Sequence, residues 1–205
     1  MTITLLIVVF TCLVSWFALN RPSWFEALAH YPVAEYRHGE KYRWLTGGLV
    51  HADIFHLFIN MYVLYGFGTP VESFFRAIHG PTLGPIMFTL FYFFAIILSN
   101  LPTYMKNKDN SRYRAVGASG ATSAIVFSFI VFEPTAELGL FFVVPIKAIL
   151  FAILYLVYSI WASKKNYDNI DHDAHFYGAV AGFLFTIAMK PALFSVFIHK
   201  IVSNF

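Results

Sequence analysis

The sequence predicts an all-α polytopic membrane protein with six transmembrane helices and an interfacial first loop. Of its 205 residues, 59% are hydrophobic and only 12% are charged, whereas a soluble domain carries roughly 25% charged residues. A chain of this length could not bury so much apolar surface in one soluble core. The 20% of aromatic residues also excludes a disordered chain, because disorder goes with few aromatics and high net charge.

Six apolar segments predict the transmembrane helices, because each approaches the roughly 20 residues that cross a bilayer. They cover residues 3–19, about 53–67, 83–101, about 118–132, 146–161 and about 174–189. The segment 21–50 mixes aromatic and charged side chains, which suits the headgroup region. The tail 190–205 alternates Phe and Ile with basic residues, which favours an interfacial helix. We therefore expect one domain over 1–205, with its core at 42–189.

Composition also excludes several classes of function. The net charge of +3 is spread over several loops, so we expect no nucleic-acid partner. Cys12 is the one cysteine, which excludes disulfides within the chain and cysteine-based metal sites. His51, His172 and His175 are possible metal ligands, but no second ligand stands four residues after any of them. We expect no metal and no cofactor.

Polar residues collect at the start of the second, fourth and sixth predicted helices. His56 and Asn60 are four residues apart on one face of the second helix. The fourth helix opens with Gly117-Ala-Ser119-Gly120, and the sixth carries His175 near its start. Even-numbered helices of a serpentine chain begin on the same side. Topology alone therefore predicts that these costly polar groups meet at one level.

Small residues predict close contact between the fourth and sixth helices. Ala174, Gly178 and Gly182 form a stripe on the sixth helix that His175 shares, and the fourth helix offers Gly117, Gly120, Ala121 and Ala124. Such stripes let two helix backbones approach closely. We expect this approach to bring His175 within reach of Ser119.

These residue types suit nucleophilic catalysis. A serine hydroxyl becomes a good nucleophile when a histidine takes its proton, so Ser119 is the candidate nucleophile and His175 the candidate base. The tetrahedral oxyanion then needs donors. The Ser119 amide at a helix start and the side chains of His56 and Asn60 are the candidates.

Taken together, these motifs resemble the rhomboid family of intramembrane serine proteases. The matching residues are Arg43, Thr46, His51, His56, Asn60, Gly68, Glu72, Gly117 to Gly120, Ala174, His175, Gly178 and Gly182. The resemblance implies a rhomboid-like six-helix bundle that cleaves other membrane proteins near the ends of their transmembrane helices, without a metal. It implies a Ser119–His175 dyad with His56, Asn60 and the Ser119 amide as oxyanion donors. It also implies structural roles for His51, Arg43, Glu72, Gly117, Gly120, Gly178 and Gly182.

One position departs from the family pattern. Many members place a tyrosine four residues after the nucleophile, packed on the base histidine, and this chain has Ser123 there. Phe176 or Tyr177 could take over that packing. Asp171, four residues before His175, could orient the imidazole as a third triad member does, or it could be a solvated loop residue.

The resemblance also predicts a location, in a bacterial inner membrane with the active site on the extracytoplasmic side. The loops of that face hold ten of the fourteen basic residues: Arg21, Arg37, Lys41, Arg43, Lys106, Lys108, Arg112, Arg114, Lys164 and Lys165. The positive-inside rule favours the opposite orientation.

Two other functions remain open at the level of sequence. The first is an inactive relative that binds membrane clients without cutting them, for which Ser123 is the argument. The second is a proton-coupled transporter that uses the intramembrane histidines. A transporter would show internal repeats or broken helices near the midplane, and the sequence shows neither.

Overall fold

A computed structural model describes residues 1–140, 144–165, 168 and 170–204. In chain order the elements are α1 (Ile3–Leu19), α2 (Pro22–Leu28), α3 (Pro32–Arg37), α4 (Arg43–Thr46), a 3-10 turn (Gly47–Leu49), α5 (Ile54–Asn107), α6 (Ser119–Phe132), β1 (Glu137–Leu140), β2 (Val144–Lys147), α7 (Ala148–Lys165), α8 (His172–Met189) and α9 (Ala192–Val202). Each of the six predicted apolar segments is largely helical, and two of them, 53–67 and 83–101, lie in the same helix α5.

The long helix α5 consists of two arms that fold back on each other. Straight, its 54 residues would extend about 80 Å, far beyond a hydrocarbon core of roughly 30 Å. The chain reverses at Gly80, whose φ of 84° lies in the left-handed region. The ring of Phe75 on the first arm then packs on Phe88 and Phe91 of the second, with centroids 6.0 and 5.6 Å apart.

The stretch 70–82 between the second and third predicted helices is not the loop expected from their separation, because it is helical except at Gly80. Prolines usually end helices, and Pro70 and Pro81 both lie in this stretch. Pro81 instead starts the second arm, where proline is well tolerated since its missing N–H would have no intrahelical partner. Gly84 allows the close return, because a Cβ there would lie 2.5 Å from Cα of Arg76.

Among the residues that the structure describes, two helices are individually long and apolar enough to cross a membrane, namely α5 and α7. Counted together as one bent span, α8 and α9 would raise the number to three. The helices α1 and α6 are apolar but have only 17 and 14 residues. The prediction of six spans stays a prediction, since it requires each arm of α5 and the shorter helices to cross.

Helix α6 lies at the centre of the bundle. Twelve of its 14 residues are buried, and it packs between α5 and α8. By contrast α7 buries only four residues, Ala148, Ala152, Ser159 and Ala162, so most of its surface is apolar and exposed. The candidate nucleophile thus begins the most enclosed helix of the fold.

The prediction of an all-α fold missed a short β-hairpin. Strands β1 and β2 are antiparallel, with Glu137 opposite Lys147 and Leu138 opposite Ile146. Opposite charges and apolar pairs across strands both stabilise this pairing. The sequence analysis searched for segments long enough to span a membrane, and strands of four residues escape such a search. The turn at 141–143 lies outside the described residues.

The expected interfacial first loop is built from three short helices and the 3-10 turn. Glu35, which is fully buried, connects these elements through its hydrogen bonds. Its carboxylate accepts hydrogen bonds from Nδ1 of His30 (2.6 Å), the amide of Tyr31 (2.8 Å) and the indole N–H of Trp44 (2.8 Å). The tail forms α9, which turns by 114° from the axis of α8.

Candidate active site

The loop that leads into α6 is held by the first loop and by the start of α5. His30 and Ala115 exchange two backbone hydrogen bonds of 3.0 Å, and the amide of Gly117 donates to the carbonyl of Gly47 at 2.9 Å. Ser119 follows as the first residue of α6. Its amide is one of the first N–H groups of a helix and has no acceptor within that helix.

Gly117 has to be a glycine at this place. Its φ of 117° is a conformation that side chains with a Cβ rarely adopt. A Cβ would also lie 2.6 Å from Cε1 and 2.8 Å from Nε2 of His56. The imidazole of His56 therefore rests directly on the backbone two residues before Ser119.

Helix α8 meets α6 through the predicted glycine stripe. A Cβ on Gly178 would collide with the carbonyl oxygen of Gly120, and one on Gly182 would collide with that of Ala124. On the other side, a Cβ on Gly120 would lie 3.2 Å from the carbonyl oxygen of Ala174. The prediction of close approach between these helices is thus met in the structure.

This packing puts Ser119 and His175 next to the same contact. Ser119 precedes Gly120, and His175 follows Ala174. Both side chains are half-buried. Among the described residues no hydrogen bond joins the Ser119 hydroxyl to the His175 imidazole, and such bonds are often long in unliganded enzymes.

The two side chains that are candidate oxyanion donors, His56 and Asn60, lie on one face of α5, at different depths. The amide of His56 donates to Oδ1 of Asp53 at 2.7 Å, which caps the helix. Asn60 is 4% exposed; its Nδ2 donates to the carbonyl of His56 at 2.9 Å, and its Oδ1 accepts from the hydroxyl of Thr122 at 3.4 Å. His56 is therefore closer to the nucleophile loop, while Asn60 faces α6 one turn further in.

Comparison with known proteins decides the family. A family model described as the Rhomboid domain matches residues 38–192. This chain belongs to the rhomboid family.

Two related proteins show how far this rhomboid resembles its relatives. It is 29% identical over 151 residues to RHOMBOID-like protein 12, mitochondrial, of Arabidopsis thaliana. It is 30% identical over 93 residues to Presenilin-associated rhomboid-like protein, mitochondrial, of Rattus norvegicus. The alignments cover 70% and 45% of this chain, and 45% and 22% of those relatives. The chain thus spans less than half the length of either relative.

Close to the start of α6, His51 connects three segments that are far apart in sequence. The hydroxyl of Ser15 donates to the carbonyl of Leu49 at 2.8 Å, so its oxygen accepts from Nδ1–H of His51 at 2.8 Å. Nε2 of His51 is then free to accept the amide of Ala118 at 3.2 Å. Burial lowers the pKa of His51 to about 3, so the neutral ring that both bonds require is the stable form.

Arg43 holds the rhomboid first loop together. It is buried, and its Nη1 donates to the carbonyls of Glu26 (2.6 Å) and Ala29 (2.9 Å), while its Nε donates to Glu40 (2.5 Å). A guanidinium makes several bonds in fixed directions, which a lysine cannot reproduce.

Glu72 ties α1 to the first arm of α5. Its buried carboxylate accepts from the amides of Ile3 (3.1 Å) and Thr4 (2.8 Å) and pairs with Arg76 at 2.7 Å. These are amides at the start of α1, where unpaired N–H groups and the helix dipole favour an anion.

Asp171 is neither a third triad member nor a solvated loop residue, the two roles considered from the sequence. Its carboxylate accepts from Thr103 (3.0 Å), the hydroxyl of Tyr113 (2.9 Å) and the amide of Ala174 (2.9 Å). It therefore caps α8 and joins it to the loop before α6, and its described hydrogen bonds do not include the His175 imidazole. Burial and this carboxylate raise the pKa of Tyr113, which keeps the phenol protonated as a donor.

Sequence analysis missed the ring from α7 that packs on His175, which is also contacted by the ring of His172, with centroids 5.8 Å apart. Tyr155 of α7 lies against the imidazole with centroids 6.3 Å apart and planes 22° apart. Phe176 and Tyr177, the residues proposed for this role, pack on each other. The spacing in the sequence could have indicated that Tyr155 faces inward, since it is seven residues after Ala148 and four before Ser159, on the buried face of α7.

Proposed function

We propose that this rhomboid is an intramembrane serine endopeptidase that cleaves transmembrane protein substrates in or beside their membrane-spanning helices. The observation that supports this most is the contact of Gly178 with Gly120, which holds the start of α8 against the start of α6. That contact keeps His175 beside Ser119, in a layer that also contains His56. The family includes proteases, and the dyad residues are present in this chain.

The reaction runs through an acyl-enzyme. The Ser119 hydroxyl attacks the scissile carbonyl and passes its proton to His175, which gives it to the departing amine. Water then attacks the ester, again with His175 as base, and the proton returns to Ser119 Oγ as the acid product leaves. The Ser119 amide, His56 and Asn60 stabilise the oxyanion in both steps.

The substrate has to expose its backbone to this site. We propose helix-destabilising or small residues near the cut and a small residue before the bond, because the Gly117–Ala121 stretch leaves little room beside the nucleophile. A cleavage map with bulky aromatic residues at that position would overturn this part.

A fluorescent fluorophosphonate tests the activated serine without any substrate. Its phosphorus is attacked by Ser119 Oγ, fluoride leaves, and the proton passes to His175. We expect labelling of purified wild type and none of Ser119→Ala or His175→Ala, with all three folded by circular dichroism. A folded wild type that stays unlabelled would contradict the proposal.

The alternative is a rhomboid that binds membrane clients without cutting them. It is favoured by the absence of a Ser119–His175 hydrogen bond among the described residues. Client binding that survives Ser119→Ala, together with an unlabelled wild type, would establish this alternative.

Six membrane crossings and an extracytoplasmic active site are also part of the proposal. A bacterial inner membrane is not, because the two relatives are named as mitochondrial. Single cysteines at the exposed Asp109 and Glu137, introduced after Cys12→Ala, test the arrangement. Asp109→Cys should react with an impermeant maleimide only from the active-site side, and Glu137→Cys only from the other. Reaction of both from one side would contradict it.

A further inference from the structure

Helix α7 places Tyr155 on the same face as its small, buried residues. Four residues of α7 are buried, namely Ala148, Ala152, Ser159 and Ala162. Together with Tyr155 they are separated alternately by four and three positions. Residues at that spacing share one face of a helix. Because the other four are small, α7 packs on α8, and Tyr155 reaches Ser123 of α6 and His175 of α8.

The hydroxyl of Tyr155 is linked to the backbone of Ser119 through two successive hydrogen bonds. Ser123 Oγ donates to the carbonyl of Ser119 at 2.8 Å, so its oxygen accepts from the Tyr155 hydroxyl at 2.5 Å. The chain thus runs from α7 through α6 to the backbone of the candidate nucleophile. Ser123 is 6% exposed, and a larger residue there would occupy the place that the phenol takes.

The ring of the same tyrosine covers the candidate base. Its plane lies 22° from that of His175, with centroids 6.3 Å apart. This is within the distance at which offset rings attract each other. Phe127 of α6 and Phe151 of α7 flank the ring at 5.7 and 5.6 Å, which limits its movement.

We propose that Tyr155 is the residue that positions His175 for proton transfer with Ser119, and that Ser123 anchors it. This inference rests on the proposed function. One side chain from α7 contacts both halves of the dyad, the base through its ring and the nucleophile through Ser123. Tyr177 is excluded from this role, since its side chain is 44% exposed and its described ring contact is with Phe176.

The ring should matter more than the hydroxyl, because the ring is what contacts the imidazole. A misplacement of about 1 Å in a reacting group costs up to about 100-fold in rate. We expect Tyr155→Leu to lower the fluorophosphonate labelling rate at least about 10-fold. Tyr155→Phe keeps the ring and should stay within about 3-fold of wild type, a loss of the size expected for one neutral hydrogen bond.

The matched control is Tyr177→Leu, which removes a ring of the same size from the same layer and should leave the labelling rate unchanged. A swap, Tyr155→Ala with Ser123→Tyr, returns a ring to the imidazole from α6 and should recover part of the rate. The pH dependence of labelling should shift in Tyr155→Leu and in neither Tyr155→Phe nor Tyr177→Leu. A Tyr155→Leu enzyme with the wild-type rate and pH dependence would overturn the inference.

A readout without catalysis separates this inference from the proposed function. NMR of histidine-labelled protein detects the ring current of Tyr155 on the His175 resonances. Those resonances should move in Tyr155→Leu and stay in place in Tyr177→Leu. If wild type is not labelled, the proposed function fails while this measurement still decides the position of the imidazole. His175 resonances that do not respond to Tyr155→Leu would overturn the inference in either case.

Discussion

The backbone of Gly178 lies directly against the carbonyl oxygen of Gly120, with no space between them for a side chain. Gly120 directly follows Ser119, and Gly178 lies about one helical turn after His175. This contact therefore sets the distance between the helix that carries Ser119 and the helix that carries His175.

The first prediction concerns that contact. Gly178→Ala forces α8 away from α6, and we expect it to lower stability by about 1–3 kcal/mol, the usual cost of overpacking. The labelling rate of Ser119 should fall with it. Thermal unfolding in detergent and fluorophosphonate labelling measure the two effects.

Gly66→Ala is the matched control for this prediction. A Cβ at Gly66 has nothing within 4 Å, and alanine favours a helix over glycine by about 1 kcal/mol. This variant should be as stable as wild type or slightly more so. Equal behaviour of the two variants would show that the helices do not touch as described.

The second prediction concerns His56. If its imidazole donates to the oxyanion, His56→Ala should lower the labelling rate by about 100-fold, which is typical for the loss of one such donor. The neighbouring Phe55→Ala is the control, since Phe55 is 73% exposed and should label at the wild-type rate. A His56→Ala variant that labels normally would remove His56 from the oxyanion site.

The third prediction follows from the neutral form of His51. Its pKa falls from 6.5 in the unfolded chain to about 3 in the fold. Between these values the unfolded chain binds a proton that the folded chain does not, so the free energy of unfolding falls as the pH falls. His51 should contribute up to about 1.4 kcal/mol per pH unit to this slope.

The variant His51→Gln separates the contribution of His51 to this slope from that of all other groups. The variant should be less stable than wild type at pH 7 and should lose less stability between pH 6.5 and 4. Chemical denaturation at several pH values measures both quantities. Identical slopes would show that His51 protonates as easily in the fold as outside it.

The fourth prediction concerns the link between α1 and α5. Glu72→Gln removes the charge that caps the start of α1 and pairs with Arg76. We expect a loss of about 1–3 kcal/mol, the cost of leaving buried polar groups without a partner. Asp109→Asn, at an exposed position, should leave the melting temperature unchanged. Equal melting temperatures for the two variants would contradict the role of Glu72.

The layer that contains Ser119 and His175 could be predicted because the order of the apolar segments and the spacing of the glycines can be read directly from the sequence. The stripe from Ala174 to Gly182 indicated the contact of α8 with α6, which the structure shows. Neither argument requires knowledge of a loop conformation.

Other features could not be predicted, because they depend on contacts between distant segments. The partner of His51 is Ser15, which is 36 residues away. The reversal of α5 depends on the left-handed φ of Gly80 and on the close return at Gly84, which the sequence analysis did not single out. The packing of Tyr155 on His175 depends on how α7 lies against α8, which helix patterns do not specify.

The central claim is that Ser119 and His175 hydrolyse a peptide bond within the membrane. The most direct test reconstitutes the protein in liposomes with a library of transmembrane segments and maps cleavage by mass spectrometry in water enriched in oxygen-18. The account predicts products with one heavy oxygen at the new carboxyl end, formed by wild type and absent with Ser119→Ala and His175→Ala. Products that persist with folded Ser119→Ala, or no cleavage by a wild type that is folded and inserted, would contradict it.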